Sequence, residues 1–167
     1  GLDLTLTGDA SLSQRPMQRI IDPLKKMGAD IESHEGCLPI RIRGRNLKGI
    51  HYVLPVASAQ VKSCILFAGL SAQGKTYVEE PIATRDHSEN MMKIFHIPVF
   101  RNKKIISVHT LRRNVQGFEY SVPGDPSSAA YWVAAALMLN KSRILLRKMS
   151  LNPTRIAYIR LLKKCGA

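Results

Sequence analysis

Three arginines set 70 residues apart constrain this chain more than any other feature. Arg15 opens "RPMQRIIDPLKKMGA", Arg85 opens "RDHSENMMKIFHI" and Arg155 opens "RIAYIRLLKKCGA". Each begins an amphipathic stretch, and two of the three stretches end in Gly-Ala. Ser58 and Ser128 keep the same step. Self-similarity at a fixed period means one structural unit used repeatedly. A period this long points to a compact α/β unit repeated around a core, not to a thin solenoid. Each unit sets a Ser or Arg at the start of a helix, where free N–H groups bind anions readily.

Composition matters mainly through charge. Among 167 residues, 25 Lys and Arg oppose 12 Asp and Glu, a formal net charge of +13. A basic face for nucleic acid is one reading. Against it, the cations are scattered and aromatics are only 6%, with no stacking cluster. The ordered arginines favour small anions such as phosphates and carboxylates. No apolar run approaches the roughly 20 residues of a membrane span, and no signal-peptide pattern opens the chain. Cys37, Cys64 and Cys165 are odd in number and lack metal-ligand spacing, so reduced thiols in a cytoplasmic protein are expected. The opening Gly1 and the closing Gly-Ala suggest a piece of a longer chain.

Periodicity predicts amphipathic helices near 15–27, 86–95 and 154–165. Ser13 is the candidate cap of the first, and Pro23 should kink it or shift its start. "LPIRIRG" alternates as a strand, with Ile40 and Ile42 inward, and "IHYVLP" reads as a second strand. Residues 58–71 and 127–139 are apolar all round, which predicts buried helices. "KTYVEE" and "SRILL" read as strands, and "IPVF" with "KIISVH" as a hairpin. The unit is therefore β–α(buried)–β–α(amphipathic)–β–β, one complete copy running from about Val53 to Tyr120. Its hydrophobicity demands helices inside and sheets outside.

The chemistry concentrates at "VASAQVKS". Ser58 and Gln60 offer a hydroxyl and an amide beside the free N–H groups of a helix start, and Ser58 could equally be a plain cap. Gln60 and Lys62 favour the functional reading, because polar groups on a buried helix need a reason. Arg15 and Arg85 taken singly could be surface ion pairs. Their equivalent places in the repeat argue for one site, and a planar guanidinium suits carboxylate or phosphate. His87, beside Asp86 and Glu89, reads as part of a helix-cap network. The Gly74-Lys75-Thr76 triplet lacks the upstream glycine of a phosphate-binding loop.

Six blocks in order, "GDASLSQRPM", "PLKKMGADIE", "LPVASAQVKS", "RDHSE", "VPGDPSSAA" and "NPTR", closely resemble the 5-enolpyruvylshikimate-3-phosphate synthase family, in its bacterial class II form. The resemblance spans essentially the whole chain. It implies an α/β (α+β) enolpyruvyl transferase fold of βαβαββ units, an inside-out barrel left incomplete here. Residues 1–121 would be part of a first such domain and 122–167 the start of a second. An incomplete domain would leave part of its helix faces uncovered.

The reaction implied is enolpyruvyl transfer from phosphoenolpyruvate to the 5-hydroxyl of shikimate 3-phosphate, with release of phosphate and without metal or cofactor. Carried over by motif, Ser58, Ala59 through its backbone, Gln60 and Arg85 would hold shikimate 3-phosphate. Arg15 and Gln60 would hold phosphoenolpyruvate. The family's N-terminal Lys-Ser pair, its phosphoenolpyruvate loop and its catalytic Asp and Glu have no counterpart in this chain. By itself it should bind weakly and not catalyse, within a full protein expected to be monomeric. His96 stands where a helix-ending Gly is expected, a departure expected to touch packing only. Two alternatives remain: the cell-wall relative acting on UDP-N-acetylglucosamine, disfavoured by "SAQVKS" and "RDHSE", and a non-catalytic basic binding module.

Overall fold

The computed structural model describes residues 2–167 and divides them into two compact units, one up to Gln116 and one over Gly117–Ala167. The first unit opens with β1 (Asp3–Leu6), α1 (Ala10–Ser13), α2 (Gln18–Lys26), β2 (Asp30–His34) and β3 (Cys37–Arg43). It continues with β4 (His51–Val53), α3 (Ala59–Ser71), β5 (Lys75–Glu79), α4 (His87–Ile94), β6 (Val99–Asn102) and β7 (Ile105–His109). The second contains α5 (Pro126–Met138) and α6 (Ala157–Lys164).

The 70-residue beat is a repeat of topology. The first sheet has the order β1-β3-β2, and the second β4-β5-β7-β6. Without β4, the order β5-β7-β6 copies β1-β3-β2, with antiparallel pairing at both junctions of each sheet. Strand β4 runs parallel to β5 across α3, as a crossover connection requires. Residues 51–109 therefore form one complete βαβαββ unit, and the preceding residues repeat its last four main elements. Helices α2, α4 and α6 end alike, on left-handed residues Gly28, His96 and Gly166. Glycine adopts that conformation freely. His96 holds it with φ +56 and lends its carbonyl to Arg113, so the departure expected to concern packing concerns the backbone.

Helix α3 lies against the second sheet, where alternation points Thr76, Val78, Ile106 and Val108 inward. Val61, Ile65 and Leu66 meet that face, and Met27, Leu54 and Met92 close the same core. A smaller core of Ile21, Ile31 and Ile40 forms between α2 and the first sheet, with Ile42 packed against it. The solvent side of that sheet carries ion pairs of Arg41 with Asp3 and of Arg43 with Glu32 and Asp30. Part of the positive charge is therefore solvated pairing, as a plain reading of scattered cations expects.

Four expectations need correction. Ser13 does not cap α2. It ends the short α1, whose cap is Asp9 accepting from the Leu12 amide at 2.7 Å, and α2 starts only at Gln18. The cause is Pro16, which disfavours helical backbone at Arg15 and separates the two helices. Helix α3 is not covered all round, since Phe67 is 50% exposed. In this unit the sheet and α2 cover two of its sides and no layer covers the third. Helix α5 is bare: of its side chains only Pro126 and Ala129 are buried, and Tyr131 and Trp132 are 80% and 63% exposed. The 51-residue second unit has too few elements to enclose it. "SRILL" forms no strand, because nothing in its unit offers a partner ladder and only an isolated bridge, Gly124 to Met149, is made.

Close approach of α3 to the sheet depends on Gly69. A Cβ there would lie 2.8 Å from Thr76 Cβ, Thr76 Oγ1 and Val108 Cγ2. Gly69→Ala gains about 1 kcal/mol of helix propensity, yet forcing a methyl into a packed seam costs about 1–3 kcal/mol or more. With three simultaneous clashes against strand side chains, the second effect should win. Urea unfolding is expected to show net destabilisation, and a more stable variant would mean that α3 sits off the sheet.

Candidate anion site at the start of helix α3

Ser58 adopts an extended backbone and caps α3, its Oγ accepting from the Val61 amide at 3.3 Å. The Lys62 amide bonds the Ser58 carbonyl at 3.1 Å. The Ala59 and Gln60 amides at the head of the helix bond no described residue. Two N–H groups at the positive end of a 13-residue helix thus remain open. Gln60 is exposed, and Ser58 and Ala59 are half-buried.

The start of α4 is fastened beside this turn. Ser63 Oγ donates to the Ala59 carbonyl at 2.8 Å and lies 2.5 Å from Ser88 Oγ. Since the single Ser63 proton is committed to Ala59, Ser88 must be the donor in the second contact. Arg85 stands three residues before Ser88, exposed and in no ion pair among the described residues. The structure therefore brings the Arg85 segment to the helix that carries Ser58, Ala59 and Gln60. Among the described residues no such tie holds Arg15, which occupies the bend before α2, exposed, its amide bonded to Leu12 O at 3.0 Å.

Arg155 behaves differently from its two counterparts. It is only 18% exposed and binds Asp125 Oδ1 at 2.9 Å. Asp125 also caps α5, accepting from the Ser127 amide, which with Ser128 and Arg155 holds its carboxyl below the usual range. The residue matching Ser58 is thus Asp125, not Ser128, which lies inside α5 and donates to Asp125. An acidic cap bound to its own arginine already occupies the helix start, so the beat preserves helix placement but not anion binding.

Beneath the α3 turn lies a cluster that sequence reasoning saw only in part. Lys62 is completely buried, its Nζ 2.7 Å from Glu89 Oε1 and 3.1 Å from Glu80 Oε2. Glu80 also accepts from the Thr84 amide and hydroxyl at 2.9 and 2.6 Å, and from Arg101 at 2.7 Å. Burial pushes the Glu80 carboxyl up. The Thr84 hydroxyl and amide and then Lys62 outweigh it, leaving the carboxyl below its usual range. Lys62 thus answers carboxylates, and Glu89 points inward instead of joining a cap network around His87. The lone Lys on an apolar helix was the legible signal, whereas its partners 18 and 27 residues away left none.

Two cavities of about 280 Å³ lie elsewhere, one at Pro98 and His109–Arg113, the other between α5 and α6. Among the described residues no group of His, Cys, Asp and Glu converges on a metal position.

Removing one partner of a buried pair strands the other and costs about 3–5 kcal/mol. Lys62→Met should lower stability by that order at neutral pH. Because the folded Glu80 pKa is depressed, its stabilising contribution is complete above the unfolded value near 4.3 and is lost as pH falls through the folded value. The gap between wild type and Lys62→Met should therefore narrow below about pH 4. Thermal unfolding that gives the same gap at pH 7 and pH 3 would contradict the ionised network.

The family model for EPSP synthase (3-phosphoshikimate 1-carboxyvinyltransferase) matches residues 1–167. A 3-phosphoshikimate 1-carboxyvinyltransferase of Coxiella burnetii is 50% identical over 166 residues, covering 97% of this chain and 37% of the relative. One from Endomicrobium trichonymphae is 46% identical, with 99% and 38% covered. A solved EPSP synthase from Acinetobacter baumannii superposes with a TM-score of 0.85 at 46% identity, covering 99% of this chain and 38% of that one. The chain thus spans a little over a third of the length of these relatives, and its fold is that part of the enolpyruvyl transferase architecture. It belongs to the EPSP synthase (3-phosphoshikimate 1-carboxyvinyltransferase) family.

Proposed function

We propose that this chain is the part of a 3-phosphoshikimate 1-carboxyvinyltransferase that receives shikimate 3-phosphate at the start of α3. One observation carries the assignment: the open Ala59 and Gln60 amides and the unpaired Arg85 lie on helix starts tied together through Ser63 and Ser88. Unspent donors and an unspent guanidinium suit a phosphate ester or a hydroxyl-rich ring. Ser58, Ala59, Gln60 and Arg85 then hold shikimate 3-phosphate, while Arg15 and Gln60 face phosphoenolpyruvate. The 5-hydroxyl oxygen loses its proton and adds to the enol carbon as the adjacent methylene is protonated; the resulting methyl then gives up a proton as the C–O bond to phosphate breaks, which restores the enol ether and releases phosphate. Holding two anions in line supplies orientation, worth roughly 7–11 kcal/mol in favourable cases.

In this reading residues 1–121 belong to a first enolpyruvyl transferase domain and 122–167 begin a second, in a cytoplasmic enzyme. The 167 residues do not catalyse by themselves.

Titration calorimetry on the full-length enzyme tests the assignment. Arg85→Ala removes a charge-assisted hydrogen bond of about 1.5–3 kcal/mol, so shikimate 3-phosphate binding should weaken by about 10- to 150-fold. Arg15→Ala should raise the KM for phosphoenolpyruvate and leave shikimate 3-phosphate binding nearly intact. Arg155, held by Asp125, is the control. If Arg155→Ala weakens shikimate 3-phosphate binding as much as Arg85→Ala, the arginines serve the repeat and not a site.

A further inference from the structure

We infer that Glu89, clamped on Lys62, is a positioning residue for the anion site: it holds the Arg85 segment against the first turns of α3. The inference rests on the proposed shikimate 3-phosphate site and adds to it a residue that touches no substrate. Arg85 and the α3 amides come from different elements, so their spacing must be fixed by something other than the chain. Among the described residues, the hydrogen bonds that join the two helices come from side chains beneath them. Glu89 Oε1 binds Lys62 Nζ at 2.7 Å, and Ser88 binds Ser63 one residue earlier. Lys62 and Ser63 follow Gln60 by one helical turn or less, and Ser88 and Glu89 follow Arg85 by about one turn. The two contacts therefore act at the base of both binding segments.

The clamp has the stiffness a positioning role needs. Lys62 is completely buried, and Glu80 also binds it, itself fixed by Thr84 and Arg101. A buried lysine with two carboxylate partners cannot swing toward water without stranding both. Glu89 Oε2, by contrast, is buried with no hydrogen-bond partner among the described residues. Packing alone would favour an apolar side chain here over a half-satisfied carboxylate. The bound oxygen, Oε1, is what ties α4 to Lys62.

The test is made on the full-length enzyme with shikimate 3-phosphate as the titrant. Glu89→Ala should weaken shikimate 3-phosphate binding about tenfold or more, with the KM for phosphoenolpyruvate changed less than about twofold. Glu89→Gln, which keeps an oxygen for Lys62, should recover most of that loss even though it too lowers the melting temperature. Ser88→Ala, which removes one hydroxyl from a half-buried site, should weaken binding about threefold, and it decides the matter if Glu89→Ala cannot be purified folded. Folded Glu89→Ala or Ser88→Ala protein that binds as wild type does would overturn the inference while leaving the site itself standing. If wild type fails to bind shikimate 3-phosphate, or Arg85→Ala binds normally, both fall together.

Discussion

A lysine with no access to water organises the larger unit of this chain. Lys62 sits on α3 among apolar neighbours, and burying its charge alone would be prohibitive. Glu80, just past β5, and Glu89, on α4, make it tolerable. The electrostatic requirement ties one helix to the end of a strand and to a second helix. The apolar core around Ile65, Leu66, Val78 and Ile106 supplies most of the cohesion, but it is not directional. The ion pairs fix which face of α4 meets α3. Through that face they fix where Arg85 stands.

The repeated unit shows how one topology serves more than one purpose. The copies that begin with α3 and α5 each present a helix start followed by an arginine at or just before a second helix. In the middle copy the helix start is capped by Ser58, a neutral group that leaves two amides open. In the next copy the cap is Asp125, which brings its own negative charge and closes a pair with Arg155. Cap chemistry, hydroxyl against carboxylate, and Pro126 in the first turn of α5 separate a helix start with two open amides from one occupied by its own carboxylate. Arginine periodicity locates both starts and cannot tell them apart.

Local physics was legible in the sequence wherever it acts alone. The alternation of "LPIRIRG" gave β3, the run after Ser58 gave α3, and the βαβαββ order followed from the periods of successive segments. The six family blocks added the fold and the family. What stayed hidden depends on neighbours. "SRILL" has strand propensity but no partner, so it forms none. Helix α5 has a buried helix's composition but stands bare, because composition records a preference and not the layers present. The carboxylates answering Lys62 lie far along the chain, and only folding brings them to it. The family resemblance singles out Ser58, Ala59, Gln60 and Arg85, whereas the tie through Ser63 and Ser88 arises only on folding.

The central claim is that open amides at the start of α3 and the Arg85 guanidinium converge on one bound anion. A crystal structure of the full-length enzyme with shikimate 3-phosphate tests it most directly. The account predicts ligand oxygens about 2.7–3.2 Å from the Ser58–Gln60 turn and from Arg85, with the Lys62–Glu89 contact intact beneath them. A ligand seated away from that turn, or Arg85 directed into solvent with the site filled, would contradict it.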